Sequence, residues 1–155
     1  MAKTLTPPEA LHRAAALCSS SEHCIDDIRQ KLTRWGIGTT DTQTIIERLV
    51  HERFIDEERY AIAFVRDKFR FAGWGRIKMS YALQQKRIPG HLIAHALSHI
   101  DNELYTTRLT DLLQEKSRSI TDENPETRRA KLFRFAASRG FESDLIFKAI
   151  KEILP

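Results

Sequence analysis

Ile55-Asp56-Glu57-Glu58-Arg59-Tyr60 and Ile100-Asp101-Asn102-Glu103-Leu104-Tyr105 are one device written twice. In each, the Asp is placed to cap a helix, acids occupy the first turn where the macrodipole favours them, and the Ile before the cap is placed to staple onto the Tyr. Each copy follows an apolar helix and opens another, so the chain repeats itself. A third start lies upstream in Leu5-Thr6-Pro7-Pro8-Glu9. There Thr6 caps, Pro7 suits the first helical position, and Glu9 completes a capping box. Leu11, Ala14, Ala15 and either Leu17 or Cys18 then form the buried stripe of the first helix.

A second comparison fixes the register inside the repeat. Ile28, Leu32, Gly36 and Ile37 align with Met79, Leu83, Arg87 and Ile88, and with Leu132, Ala136, Gly140 and Phe141. Each set is an apolar i, i+4 pair followed by a turn residue and an apolar anchor. After each anchor comes a second amphipathic helix, carrying Ile45, Ile46, Leu49 and Val50, then Leu92, Ile93, Ala96, Leu97 and Ile100, then Leu145, Ile146, Ala149, Ile150 and Ile153. Gly36 and Gly140 fit a left-handed position just past a helix end; Arg87 must use another geometry or bear strain.

No segment alternates apolar and polar residues, whereas i, i+3, i+4 spacing recurs throughout, so the fold class is all-α. The chain divides into an N-terminal tail of residues 1–5 and three tandem three-helix repeats at 6–55, 56–100 and 101–155. Each repeat is too small to stand alone, and the three are expected to pack as an elongated, curved array. The polar stretch Lys116 to Arg128 is expected to be the most mobile loop.

The 155 residues include 30% charged and 41% hydrophobic side chains, which excludes collagen-like and wholly disordered chains. No apolar run approaches the roughly 18 residues of a membrane span. The first residues lack a signal peptide's apolar segment, and two cysteines make no disulfide framework. A cytoplasmic protein with reduced thiols is expected. No sustained heptad argues for a coiled-coil dimer, so a monomer is expected.

The net charge of +4 is unevenly distributed. Residues 66–87 hold seven of the 25 basic and one of the 21 acidic residues, so the remaining 18 basic and 20 acidic residues sum to −2. Such a local basic stripe suits phosphate or acidic protein surface. The bland reading is a solvated helix face, although such faces usually mix signs. Glycines around Trp74 permit a tight reversal between helices. The indole then either stacks on a base or folds back into the core between repeats. Phe64, Val65, Phe69 and Leu83 are assigned to the core. A second basic group, Arg128, Arg129, Lys131, Arg134 and Arg139, occupies the equivalent position in the third repeat and is expected to extend the same positive track.

Phe54 to Ala61, the Gly73-Trp74-Gly75 turn, Arg76 to Ile88 and Arg134 to Phe141 together resemble the bacterial RecX regulatory family. The resemblance runs from about residue 9 nearly to the end, and rests on the order and spacing of several motifs. It implies an all-α protein that binds the filament RecA forms on single-stranded DNA, and that restrains filament growth, ATP hydrolysis and strand exchange without catalysis. The family usually has Gly-aromatic-Gly-Pro, where this chain has Arg76 for the proline, and Lys78 stands where Arg is usual. Its Lys-Gly-Ile turn is Lys86-Arg87-Ile88 here. Cys24 replaces a frequent Ser cap, weakening that cap by about 1 kcal/mol.

The expected contact residues are therefore Arg66, Lys68, Arg70, Trp74, Arg76, Lys78, Lys86, Arg87, Arg128, Arg129, Lys131 and Arg134. The alternative is a free-standing DNA-binding protein using its helix-turn-helix-like pairs directly. No P-loop, dinucleotide fingerprint, nucleophile elbow or metalloprotease helix is present, and no enzyme, cofactor or metal is expected. His91, His95 and His99 share one helix face, but the buried face belongs to Leu92, Ile93, Ala96 and Leu97, and no carboxylate or cysteine completes a metal set. Cys18, His23 and Cys24 lack zinc-ribbon spacing.

Overall fold

A computed structural model describes residues 4–154. Three tandem three-helix units form an elongated, curved array with no strand among the described residues. The first unit holds α1 (Pro7–Ser20), α2 (Ile25–Arg34) and α3 (Thr39–His51). The second holds α4 (Glu57–Asp67), continued by a π-turn at Lys68–Ala72, then α5 (Arg76–Gln85) and α6 (Gly90–Leu97). The third holds α7 (Asn102–Ser119), α8 (Pro125–Ser138) and α9 (Ser143–Ile153). None of these helices is long and apolar enough to cross a membrane.

The helix starts are local decisions. Thr6 and Glu9 form the reciprocal capping box, and the Asp56 and Asp101 carboxylates accept the amides of Arg59 and Leu104. Cys24 makes no side-chain cap bond at the start of α2. In α1 the buried stripe is Ala10, Ala14 and Cys18, which decides between Leu17 and Cys18.

The three interhelical turns share one geometry. Ile37, Ile88 and Phe141 each donate an amide to the carbonyl five residues back, on Leu32, Leu83 and Ala136, at 3.0, 3.1 and 3.2 Å. The residue before each anchor is left-handed, with φ of +82° at Gly36, +60° at Arg87 and +91° at Gly140. Arg87 therefore keeps the repeat geometry and bears its strain, which costs a Cβ-bearing residue about 1–2 kcal/mol.

Packing divides the array unequally. The first unit has its own core, centred on Ile28, Leu32, Ile46 and Leu49. The second and third share one continuous core, including Met79, Leu83, Leu109, Leu113, Leu132 and Ile146, and Cys24 of the first unit joins it. Ile100 and Tyr105 both lie in that shared core, whereas Ile55 points into the first core and Tyr60 into the second. The repeated sequence thus seats its Ile differently at its two occurrences, because only the second junction is bridged by a continuous apolar core.

The first junction is polar. Arg59 Nε donates to both carboxylate oxygens of Glu22 at 2.8 and 2.7 Å, the Ile25 amide donates to Glu57 at 3.3 Å, and Lys86 Nζ meets Asp27 at 2.6 Å. Burial alone would raise the Asp27 carboxyl, but the Lys86 ammonium and hydrogen bonds from Cys24 hold it below the ordinary value.

Several expectations need adjusting. Val50 is exposed, and Phe64 and Phe69 are half-buried against the core, while Val65 and Leu83 are fully buried. The stretch Lys116 to Arg128 is mostly helix: α7 runs on to Ser119 and α8 begins at Pro125. The reason is Arg128. Its guanidinium donates to the carbonyls of Ser117, Ile120 and Asp122 and to the Ser117 hydroxyl at 2.7–3.0 Å, so it caps α7 and closes the turn.

Candidate nucleoprotein-contacting surface

The Gly73-Trp74-Gly75 turn joins the π-turn to α5. Gly73 is left-handed at φ +65°, and the Trp74 amide returns to the Lys68 carbonyl at 3.1 Å. Gly75 serves a different need. A Cβ there would lie 2.4 Å from the Gly140 carbonyl oxygen, and one on Gly140 would lie 2.5 Å from the Lys78 amide nitrogen. Two backbones meet where no side chain fits. The Gly75 and Ile77 amides donate to the carbonyls of Arg139 and Gly140 at 2.7 and 3.0 Å, so the start of α5 finds acceptors on the end of α8.

Arg76 locks this contact. One guanidinium nitrogen donates to Glu142 and the other to Asn102, both at 2.8 Å, and the group lies 3.8 Å above the Tyr105 ring. The Tyr105 hydroxyl accepts the Arg76 amide at 2.9 Å and donates to Glu142. Burial, then the Glu142 bond, pushes that hydroxyl above its ordinary pKa. Arg76 is thus turned inward to the third unit and offers little to an outside ligand.

Trp74 is half-buried, edge-on to Phe64 with ring centres 6.2 Å apart. The Lys68 and Lys78 ammonium groups lie over its indole at 4.7 and 4.6 Å. The ring packs against the shared core and gathers two cations at its outer side, so it does not stand free as a stacking platform.

The seven basic residues of 66–87 therefore separate by role. Arg76, Lys86 and Arg87 reach Glu142, Asp27 and Asp26 of other units, the last at a loose 3.9 Å, and among the described residues Arg66 reaches only its neighbour Asp67 at 3.5 Å. Lys68, Arg70 and Lys78 have no carboxylate partner among the described residues. In the third unit Arg128 is the turn clamp, and Arg139 donates to the Ala72 carbonyl at 2.8 Å. Arg129, Lys131 and Arg134 are exposed and free of carboxylates among the described residues.

Lys131 and Arg134 face Lys116 across an open hollow of about 490 Å³, with Ser119 and Thr121 on its wall and no acid in its lining. Lys116 was not among the residues expected from sequence, since it enters this hollow only because α7 continues past it. Phe71 on the π-turn, 76% exposed, and Tyr81 and Ile77 on α5, 63% and 57% exposed, are outward residues of the stretch 66–87 that charge counting passes over.

Residues 56–97 match the family model for the second three-helix domain of RecX, and residues 103–150 match that for the third. The Regulatory protein RecX of Prosthecochloris aestuarii is 30% identical over 146 residues, covering 94% of both chains. The chain belongs to the RecX family. The Regulatory protein RecX of Clostridium botulinum strain Eklund 17B is 32% identical over 82% of this chain and 60% of its own length. Among solved structures, RecX from Lactobacillus salivarius superposes with a TM-score of 0.85 at 19% identity, covering 95% of this chain and 96% of that one. A second crystal structure of regulatory protein RecX gives 0.82 at 21%, covering 94% and 73%. At those identities the two structures speak for the fold.

After the Gly-Trp-Gly turn, Arg76 keeps an amide that donates to Tyr105, a bond that a proline at this position could not make. Where the first and third units carry Gly36 and Gly140 before the anchor, Arg87 holds the same left-handed angle at a cost.

Proposed function

We propose that this chain regulates the RecA recombinase by binding the filament RecA forms on single-stranded DNA, and that it restrains filament growth, ATP hydrolysis and strand exchange. Membership in a family of regulatory proteins supports the class of function. The observation that supports the mode is the division of cations just described. Arg76, Lys86 and Arg128 hold the array together, while Lys68, Arg70, Lys78, Lys116, Arg129, Lys131 and Arg134 keep their charge for an outside partner. A rigid array presenting cations at intervals bridges adjacent subunits of a filament, and bridging slows the conformational turnover that hydrolysis and growth require. In this reading residues 6–55, 56–100 and 101–155 are the repeat domains of a cytoplasmic monomer that needs no cofactor and catalyses nothing.

The acid-free hollow of Lys116, Lys131 and Arg134 also favours a second reading, direct binding to DNA. A salt series separates the two. Affinity for bare single-stranded DNA falls log-linearly with salt by about 0.7 per phosphate contact, so Lys131→Glu/Arg134→Glu lowers that slope by about 1 or more if the hollow grips phosphate directly. The filament reading expects weak binding to bare DNA and saturable binding only once recombinase is assembled. Equal affinity for bare DNA and filament would favour the second reading.

A further inference from the structure

A groove of about 640 Å³ runs between α4 with its π-turn and the opening turns of α7. Ile62, Val65 and Phe69 form one wall and Leu104 the other. Leu104 remains 62% exposed, so this apolar wall faces water. Arg66, Arg70 and Arg108 stand along the groove. Arg66 has only the adjacent Asp67 at 3.5 Å, Arg70 has no carboxylate among the described residues, and Arg108 sends one nitrogen to the Arg70 carbonyl at a long 3.4 Å. The Arg108 Nε is buried with no acceptor among the described residues. A buried donor without a partner is costly, and a charged one more so, so Arg108 brings to the groove a guanidinium short of acceptors.

We infer that this groove docks a short acidic peptide segment of a partner protein, with an apolar side chain of the segment between Phe69 and Leu104 and its carboxylates on the three arginines. Guanidinium groups match carboxylates in planar, paired hydrogen bonds, and an apolar slot with a few polar anchors is the usual form of a peptide site. The lining disfavours nucleic acid. Asp101, which caps α7, and Asp111 also border the groove and repel the closely spaced charges of consecutive phosphates, whereas a peptide spaces its carboxylates onto the arginines and turns backbone amides to the two acids. Ile62, Val65, Phe69, Ile100 and Leu104 give the groove an aliphatic and aromatic surface that suits an apolar side chain better than a sugar–phosphate backbone. This inference rests on the regulatory reading only in taking the partner to be a protein, and it is separate from the hollow on α8.

Fluorescence anisotropy of the full chain tests it, using a labelled short peptide that intersperses Asp and Glu with Leu and Phe, a counterpart with Lys for each acid, and a single-stranded oligonucleotide as competitor. The acidic peptide should bind saturably and the lysine counterpart should not. Leu104→Glu, and separately Arg66→Glu/Arg70→Glu, should each weaken binding at least about tenfold with helix content unchanged. All of these side chains are exposed, so loss of fold does not confuse the result. No saturable binding of the acidic peptide, equal binding by the variants, or displacement by the oligonucleotide would overturn the inference. Peptide binding in a protein that leaves recombinase ATP hydrolysis unaltered would instead count against the regulatory reading and leave the groove standing.

Discussion

The Gly75 amide donates to the Arg139 carbonyl at 2.7 Å, so the helix that opens the charged surface of the second unit begins on the end of a helix in the third. That contact puts Gly75 and Gly140 in backbone contact and leaves Lys78 against the turn, with its ammonium over Trp74. The surface and the junction are one construction.

Gly140→Ala should be the most damaging small substitution. It places a Cβ 2.5 Å from the Lys78 amide nitrogen and demands a left-handed angle of an L residue. Overpacking costs about 1–3 kcal/mol and the angle about 1–2, so a loss near 3 kcal/mol is expected by urea denaturation. Gly75→Ala, which has only the steric fault, should lose about 2 kcal/mol. Unchanged midpoints for both would mean the two backbones are not in contact.

Arg87→Gly should go the other way. It relieves an angle worth about 1–2 kcal/mol, offset by the added freedom of glycine in the unfolded chain, for a net gain of about 0.5–1 kcal/mol. The contact with Asp26 at 3.9 Å, from a side chain 79% exposed, subtracts little. A lowered midpoint on denaturation would show that this arginine holds a partner the turn geometry does not reveal.

Tyr105→Phe removes both the acceptor for the Arg76 amide and the donor to Glu142 while keeping the ring under the guanidinium. About 1–3 kcal/mol should be lost, because the hydroxyl is buried and its two partners lose it together. Hydrogen exchange should quicken at the start of α5. Exchange unchanged there would assign the hydroxyl no part in the junction.

The polar junction between the first and second units should respond to pH through Asp27 and Lys86. The Asp27 carboxyl is lowered in the fold, so its contribution is present above about pH 4 and disappears as pH falls through the folded value. The Lys86 ammonium is raised, chiefly by its hydrogen bond to Asp27, so its share is present below about pH 10.4 and fades as pH rises through the folded value. Glu57 moves the opposite way, raised by burial, so the informative comparison is wild type against Lys86→Met. The stability advantage of wild type should be largest near neutrality and vanish at both extremes. A difference independent of pH would exclude the ion pair as its source.

Caps, helix registers and the repeated turn were legible in the sequence because each is decided within about six residues. The Thr6 and Glu9 box, the Asp56 and Asp101 caps and the anchors Ile37, Ile88 and Phe141 all fall where local patterning puts them. The fate of the charges was not legible. Arg76 meets Glu142 across 66 positions and Lys86 meets Asp27 across 59, so counting charge along residues 66–87 merges cations that fasten the array with those that face outward. Lys116 was overlooked for a related reason: the clamp that keeps α7 helical to Ser119 comes from Arg128, beyond the turn. The orientation of Trp74 needed the positions of Lys68, Lys78 and Phe64 together.

The most direct test is ATP hydrolysis by the cognate RecA on single-stranded DNA, titrated with wild type, with Lys131→Glu/Arg134→Glu and with Lys68→Glu/Lys78→Glu, after circular dichroism has shown each variant folded. Inhibition by wild type at substoichiometric amounts, shifted at least about tenfold upward by each outward-facing pair, is the expected result. Hydrolysis unaffected by wild type, or inhibited by both variants as strongly as by wild type, would contradict it.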